Sequence, residues 1–283
     1  MTDLVDGRAI AATLTEQTAA AVAGLRARGT VPGLAVLAPT ADPGAAGYLR
    51  AIQRAAGRAG IDCQVHQLPG VPGAADITAQ LARLSADPAV HGIVCQTPLP
   101  AGVSLAGVGQ AIATGKDVDG ANPASLGLVA AGQPGGFAPA TAAAVRHILR
   151  SCDVPLRGRR AVVVGRSTVV GKPTALLLLA ADATVTICHS RTPDLAAVCR
   201  EADVLVVAAG RAHLIGAEHV RRGAVVIDVG INPAADGGLT GDVDAAAVTG
   251  IAALRSPVPG GVGPVTTAML MLHTADAAAR RPG

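Results

Sequence analysis

Residues 161–173 read A-V-V-V-G-R-S-T-V-V-G-K-P, and this stretch decides the fold. Ala161 to Val164 form a short, wholly apolar run of small and β-branched residues, the pattern of a strand buried on both faces of a parallel sheet. Gly165 ends that strand, and Gly171 and Pro173 mark the start of a helix, where proline is tolerated in the first turn. A glycine turn between strand and helix gathers backbone N–H groups and the positive helix end at one point, where a phosphate can sit. The spacing departs from G-x-G-x-x-G, so this stretch alone serves a ligand-free βα turn as readily as a dinucleotide site.

The next strand, Ala183 to Cys188, runs into His189-Ser190-Arg191-Thr192. An NAD site usually carries Asp or Glu at this strand end to hold the ribose 2′-hydroxyl. Here Ser190 and Arg191 stand there, and Arg166 projects from the first turn. A hydroxyl and guanidinium groups suit a 2′-phosphate, because arginine offers its oxygens a charged fork. A solvated turn would use the same residue types, but the two strand ends together favour NADP over NAD.

Working outward, 283 residues suffice for one large α/β domain or two smaller ones, each with its own core. Half the residues are hydrophobic, yet Tyr48 and Phe137 are the only aromatics, so Ala, Val, Leu and Ile build that core. A net charge of +3 without aromatic platforms argues against nucleic acid as a partner. Cys63, Cys95, Cys152, Cys188 and Cys199 are odd in number, widely spaced and lack C-x-x-C, which reads as free thiols in a reducing cytosol, with no zinc site or disulfide framework. The opening residues show no basic-then-apolar leader, and no apolar run approaches the ~20 residues that cross a bilayer. A cytoplasmic protein with no membrane and no metal is expected.

The first half alternates elements. Helices are expected over Gly7–Ala27, Ala45–Ala59, Ala74–Ala86 and Ala140–Cys152, and strands over Gly33–Leu37, Cys63–Leu68 and His91–Thr97. The second half adds strands over Asp203–Ala208 and Ala224–Val229. Ser256 to Pro264, S-P-V-P-G-G-V-G-P, is expected to be neither helix nor central strand, and Val265–Ala279 reads as a last helix. Alternation in both halves implies an α/β fold of two units, each with a mainly parallel sheet and a ligand cleft between them.

Seven separated motifs occur in one order: Y-L-R-A-I-Q-R-A-A-G-R-A-G-I (48–61), H-G-I-V-C-Q-T-P-L-P (91–100), K-D-V-D-G (116–120), G-R-S-T-V-V-G-K-P (165–173), D-V-G-I-N (228–232), G-D-V-D (241–244) and S-P-V-P-G-G-V-G-P-V-T-T-A-M-L (256–270). Over essentially the whole chain this resembles the bifunctional methylenetetrahydrofolate dehydrogenase/cyclohydrolase family. The resemblance implies a parallel-sheet substrate domain over 1–137, completed by a C-terminal helix over 265–283, and a Rossmann-like NADP domain over 138–264, in a homodimer. It implies oxidation of 5,10-methylenetetrahydrofolate with NADP, then hydrolysis of the methenyl product. Carried over by motif, Gly165, Arg166, Ser167, Ser190 and Ile231 look like cofactor contacts, and the strand-end reading above adds Arg191 to them. Tyr48, Gln96 and Asp119 are catalytic positions: Tyr48 also stacks on the aminobenzoate of folate, and Asp119 holds the pterin amino group. Pro259, Gly260, Gly261 and Val262 wall the folate site. Without the resemblance, Asp117 and Asp119 also read as helix caps, Tyr48 as core and Gln96 as a backbone partner.

The pattern breaks at one point. The family reads Y-x-x-x-K, with lysine its principal catalytic residue, and four residues after Tyr48 stands Ile52. Arg50 and Arg54 point to either side of it at ~100° per residue, and arginine carries protons poorly because its pKa exceeds ~12. The only lysines are Lys116 and Lys172. The family loop V-G-D-D-P-A-S is here Ala38-Pro39-Thr40-Ala41-Asp42-Pro43-Gly44-Ala45, and P-C-T-P is Pro139-Ala140-Thr141-Ala142. Hydride transfer depends chiefly on positioning, whereas hydrolysis needs general acid–base work, so cyclohydrolase activity suffers more. Three readings follow: an NADP-dependent dehydrogenase with weak cyclohydrolase activity, a paralogue recruited to another amine or imine, and a catalytically silent folate- or NADP-binding protein.

Overall fold

The computed structural model describes residues 1–40, 43–234 and 237–280, and of 43–45 the backbone alone. In the divergent Ala38–Ala45 loop, Ala41, Asp42 and the side chain of Ala45 therefore lie outside the described residues. In chain order the elements are β1 (Asp3–Leu4), α1 (Gly7–Ala27), β2 (Gly33–Ala38), α2 (Pro43–Ala59), β3 (Asp62–Gln67), α3 (Ala74–Ala86), β4 (Gly92–Cys95), α4 (Leu105–Val108) and α5 (Pro123–Ala130). There follow α6 (Ala140–Ser151), β5 (Arg160–Val164), α7 (Gly171–Leu179), β6 (Thr184–Cys188), α8 (Leu195–Arg200), β7 (Val204–Val207) and β8 (Val225–Asp228). The chain finishes with β9 (Asn232–Pro233), β10 (Leu239–Thr240), α9 (Ala245–Val248), β11 (Leu254–Arg255) and α10 (Val262–Ala279).

Two compact units result, one of Met1–Ala11 with Thr141–Thr266, the other of Ala12–Ala140 with Thr267–Gly283. Residues 1–11, which the sequence reading placed with the first half, group with the second because β1 pairs in parallel with β11. Strands of two residues carry no periodicity that a sequence pattern can register.

The first unit holds a six-stranded sheet in the order β1-β11-β8-β7-β5-β6, parallel at every pairing. β5 and β7, A-V-V-V and V-L-V-V at their cores, are buried throughout, as two-sided coverage requires. Strand order reverses at β5, with β6 on one side and β7 on the other, so the C-terminal end of β5 is the switch point where open α/β sheets take ligands.

The second unit holds a three-stranded parallel sheet in the order β3-β2-β4. β2 is buried along its whole length, and α3 lays Ile77, Leu81 and Leu84 into a cluster with Ala35, Leu37, Ile93 and Cys95. α2 turns a stripe of Ile52, Ala55, Ala56 and Ala59 inward. α10 begins at Val262 rather than the expected Val265, so part of the 256–264 segment is helical after all. Pro264 is accommodated because first-turn positions have no intrahelical acceptor to lose.

Candidate active site and cofactor site

In the second unit, β4 and α2 bring the substrate-side candidates together. Tyr48 on α2 keeps 37 % of its surface exposed, and its phenol is pushed above the usual range by burial first and by the Asp119 charge second. Asp119 lies in the loop after β4, raised to about 7 by burial and then by Asp117. The Cys95 thiol at the end of β4 is pushed up to about 12 by burial, with Asp119 adding to it. Tyr48, Cys95 and Asp119 thus share one electrostatic neighbourhood at the C-terminal end of a parallel strand. Gln96 follows Cys95, is buried, and donates its backbone N–H to the Leu37 carbonyl at 2.9 Å.

Two acids that look alike in K-D-V-D-G differ in space. Asp117 is fully buried and accepts from Ala121 N at 2.8 Å, Asn122 N at 2.9 Å and Ser125 Oγ at 2.5 Å. Burial raises its carboxyl while those bonds pull it down. It is the organiser of the loop, and a parallel bridge between Ile93 and Asp117 ties that loop to β4. Among the described residues no hydrogen bond holds the Asp119 carboxylate. Gly120 follows at φ +71°, and a Cβ there would lie 2.8 Å from Pro139 Cα, so the turn out of Asp119 admits only glycine.

Ile52, at the position where the family keeps lysine, is 0 % exposed. It belongs to the sheet-facing stripe of α2, one turn beyond Tyr48, and Arg50 and Arg54 are exposed. Neither lysine of the chain substitutes for the missing amine. Lys116 is buried and its Nζ donates to the Asp87 carbonyl at 2.6 Å, while Lys172 is exposed on α7 of the other unit.

On the cofactor side, Gly165 sits at φ +133° and a Cβ there would lie 2.9 Å from the Ala208 carbonyl carbon, with the carbonyl oxygen closer still. The Gly165 N–H donates to Cys188 O at 2.9 Å, which brings the ends of β5 and β6 side by side. Arg166, Ser167, Ser190 and Arg191 are all exposed around these turns, and Ile231 is 60 % exposed. Ser167 Oγ accepts from Val170 N and Gly171 N at 3.2 Å each, shaping the entry to α7. An exposed, cationic, hydroxyl-bearing rim of this kind suits a phosphorylated ribose. Pro259, Gly260, Gly261 and Val262 belong to this same unit, after the cis Val258–Pro259 bond.

Asp228 and Asp242, in the D-V-G-I-N and G-D-V-D motifs, organise the loops at the end of this sheet, a role that their sequence alone does not reveal. Asp228 accepts from Gly230 N at 3.0 Å, Asp242 N at 3.0 Å and Val243 N at 2.9 Å. Its carboxyl is raised to about 6, burial outweighing those bonds. Asp242 accepts from the N–H groups of Ala209, Gly210 and Arg211 and from Asn232 Nδ2. The one available signal is an acid beside glycine at strand ends in D-V-G and G-D-V-D. Among the described residues no cluster of three potential metal ligands occurs, the five cysteines are free, and no helix is long and apolar enough to cross a membrane.

Comparison with known proteins gives consistent matches. The profile of the family Tetrahydrofolate dehydrogenase/cyclohydrolase, catalytic domain, matches residues 5–119, and that of its NAD(P)-binding domain matches residues 139–282. The Bifunctional protein FolD of a Parafrankia species is 57 % identical over 275 residues, 97 % of this chain and 98 % of that protein. The crystal structure of the bifunctional FolD methylenetetrahydrofolate dehydrogenase/cyclohydrolase from Campylobacter jejuni has a TM-score of 0.96 at 36 % identity, covering 100 % of both chains. The Trypanosoma brucei methylenetetrahydrofolate dehydrogenase-cyclohydrolase, solved with NADP and an inhibitor, has a TM-score of 0.93 at 36 % identity, covering 99 % of this chain and 98 % of its own.

Proposed function

We propose a reading of the site that starts from the family, because this chain belongs to the tetrahydrofolate dehydrogenase/cyclohydrolase family. It is an NADP-dependent enzyme of the 5,10-methylenetetrahydrofolate dehydrogenase type and uses a reduced folate in one-carbon metabolism. NADP supplies a hydride acceptor. The hydride leaves the bridging methylene carbon as an adjacent nitrogen lone pair forms the C=N bond of the methenyl product. Near-full-length identity of 57 % to a bifunctional relative does not favour recruitment to another amine or imine, nor a silent binding protein.

Within that activity, we assign Asp119 to the pterin amino group, Tyr48 to the aminobenzoate portion and Gln96 to the strand-end position beside them. Pro259, Gly260, Gly261 and Val262 complete substrate binding. Gly165, Arg166, Ser167, Ser190, Arg191 and Ile231 are assigned to NADP, with Arg166, Ser190 and Arg191 on the 2′-phosphate. The observation that carries the substrate assignment is the Asp119 carboxylate, which no described protein group bonds, beside the exposed ring of Tyr48. A steady-state assay with NADP and methylenetetrahydrofolate tests it. Asp119→Ala should lose most of kcat/KM, and an unchanged value overturns the assignment.

Hydrolysis of the methenyl bridge is the weaker activity in this reading. It needs a proton carrier, and the position where the family keeps lysine is filled by a fully buried isoleucine. We place the substrate domain on the unit of Ala12–Ala140 with Thr267–Gly283 and the NADP domain on the unit of Met1–Ala11 with Thr141–Thr266, and assign the enzyme to the cytoplasm as a homodimer. Light scattering on the purified protein tests the last point, and a monomer at working concentration contradicts it.

A further inference from the structure

The residue before Asp119 is Val118, fully buried, and its carbonyl oxygen lies 2.9 Å from His273 Nδ1 on α10. A carbonyl oxygen only accepts, so Nδ1 carries the hydrogen and donates. Burial holds the imidazole down, to about 4, with Arg280 adding to the shift, so the ring is neutral near pH 7 and in the Nδ1–H tautomer. The ring is itself clamped. Phe137, the only phenylalanine of the chain, stacks on it with centroids 4.9 Å apart and planes 29° apart. The Arg280 guanidinium lies 4.5 Å from the Phe137 centroid. One residue on, Thr274 bonds the Leu270 carbonyl, and a Cβ on Gly92 of β4 would lie 2.5 Å from its hydroxyl, so α10 sits hard against the strand that precedes the site.

We propose that His273 is a positioning residue for the dehydrogenase reaction: by holding the Val118 carbonyl it sets the direction in which the Asp119 carboxylate meets the pterin. The proposal rests on the assignment of Asp119 made above. The loop is fastened at its start through Asp117 and at its end through Gly120 against Pro139. The His273 bond fixes the peptide between those points, the one that carries Asp119. This is an arrangement of long-range packing, 155 residues apart in sequence.

The test compares wild type with His273→Phe, His273→Asn and Asp119→Asn. Phenylalanine keeps a ring on Phe137 but cannot donate; asparagine offers an amide N–H to the same carbonyl. Methylenetetrahydrofolate KM and kcat, NADP affinity and melting temperature are measured for each. His273→Phe should raise the folate KM about tenfold while kcat changes less than about threefold and NADP affinity stays put. His273→Asn should recover most of the loss. If Asp119→Asn raises KM and His273→Phe does not, the role of His273 is overturned and that of Asp119 stands. If Asp119→Asn leaves KM unchanged, both fall. Loss of NADP affinity and melting temperature in every His273 variant, asparagine included, overturns the proposal in favour of a plain core role.

Discussion

Asp228 accepts the backbone N–H of Asp242 at 3.0 Å, and the two acids act in series at the C-terminal edge of the six-stranded sheet. Asp228 at the end of β8 holds Gly230, Asp242 and Val243; Asp242 then holds the 209–211 turn after β7 and the Asn232 side chain. Three loops that border the switch point at β5 are thereby fixed to one another by these hydrogen bonds. Both carboxyls are buried, so each hydrogen bond matters more for what its absence leaves unpaired than for what it adds.

Asp242→Ala should accordingly destabilise the fold by about 3–5 kcal/mol, since it strands several backbone donors in the interior. NADP affinity should fall by at least about tenfold as the 209–211 turn and Asn232 relax. Denaturant unfolding and NADP titration check the two effects. A variant that melts and binds NADP like wild type contradicts this account of the loop edge.

The shift at Asp119 gives a pH dependence with a definite sign. Its carboxyl stands at about 7 against an ordinary 3.8, so it is largely protonated below 7 and charged above. A carboxylate accepting from the pterin amino group works best ionised. The folate KM should therefore fall as pH rises from about 6 to about 8 and then level off, and Asp119→Asn should flatten the profile. For the free protein the same shift runs the other way: the folded state binds the proton more tightly, so stability is lost as pH rises from 3.8 to about 7. A KM independent of pH in wild type would show that the ionisation of Asp119 does not matter to binding.

Sequence pattern reaches those parts of the fold that depend on local composition. α1 and α3 run over Gly7–Ala27 and Ala74–Ala86 as periodicity predicts, and β5 is legible because V-V-V before glycine has few other uses. β1 and β11, two residues each, are not legible, which is why residues 1–11 change unit. The site divides the same way. Asp117 and Asp119 are indistinguishable as letters, and only the three bonds into Asp117 separate the loop organiser from the unbonded acid. Ile52 is visible in sequence as a missing lysine, but its complete burial follows from the phase of α2 against the sheet. Asp228 with Asp242, and Val118 with His273, are contacts across chain distance that no local pattern encodes.

Arg166→Ala should separate the two nicotinamide cofactors. Charge-assisted bonds are worth about 1.5–3 kcal/mol, and solvent at this exposed turn keeps the effect at the lower end. NADP affinity should fall about tenfold and NAD affinity less than about threefold. Ser190→Ala should act in the same direction with a smaller amplitude. Equal losses for both cofactors in fluorescence titration would remove Arg166 from the 2′-phosphate.

Ile52 carries the last prediction. Helical side chains lean toward the N-terminal end of their helix, so a lysine at 52 would run back along α2 toward Tyr48, one turn away and open to solvent. Its stem would fill the space of the isoleucine while its amine, stripped of water, would have a pKa lowered toward neutrality, where it can carry protons. Ile52→Lys should therefore raise methenyltetrahydrofolate hydrolysis at least about tenfold over wild type, short of the roughly 10²–10⁴-fold that a well-placed general acid–base group supplies. The dehydrogenase rate should change much less, because positioning carries it. Burying an amine at a site that is 0 % exposed should also lower stability by about 2–4 kcal/mol. Ile52→Met, similar in size and without the amine, should leave hydrolysis at the wild-type level. The measurement is methenyltetrahydrofolate decay corrected for its spontaneous rate. If wild type already accelerates that decay strongly, the proton carrier lies elsewhere, and Asp119 at about 7 becomes the first residue to replace.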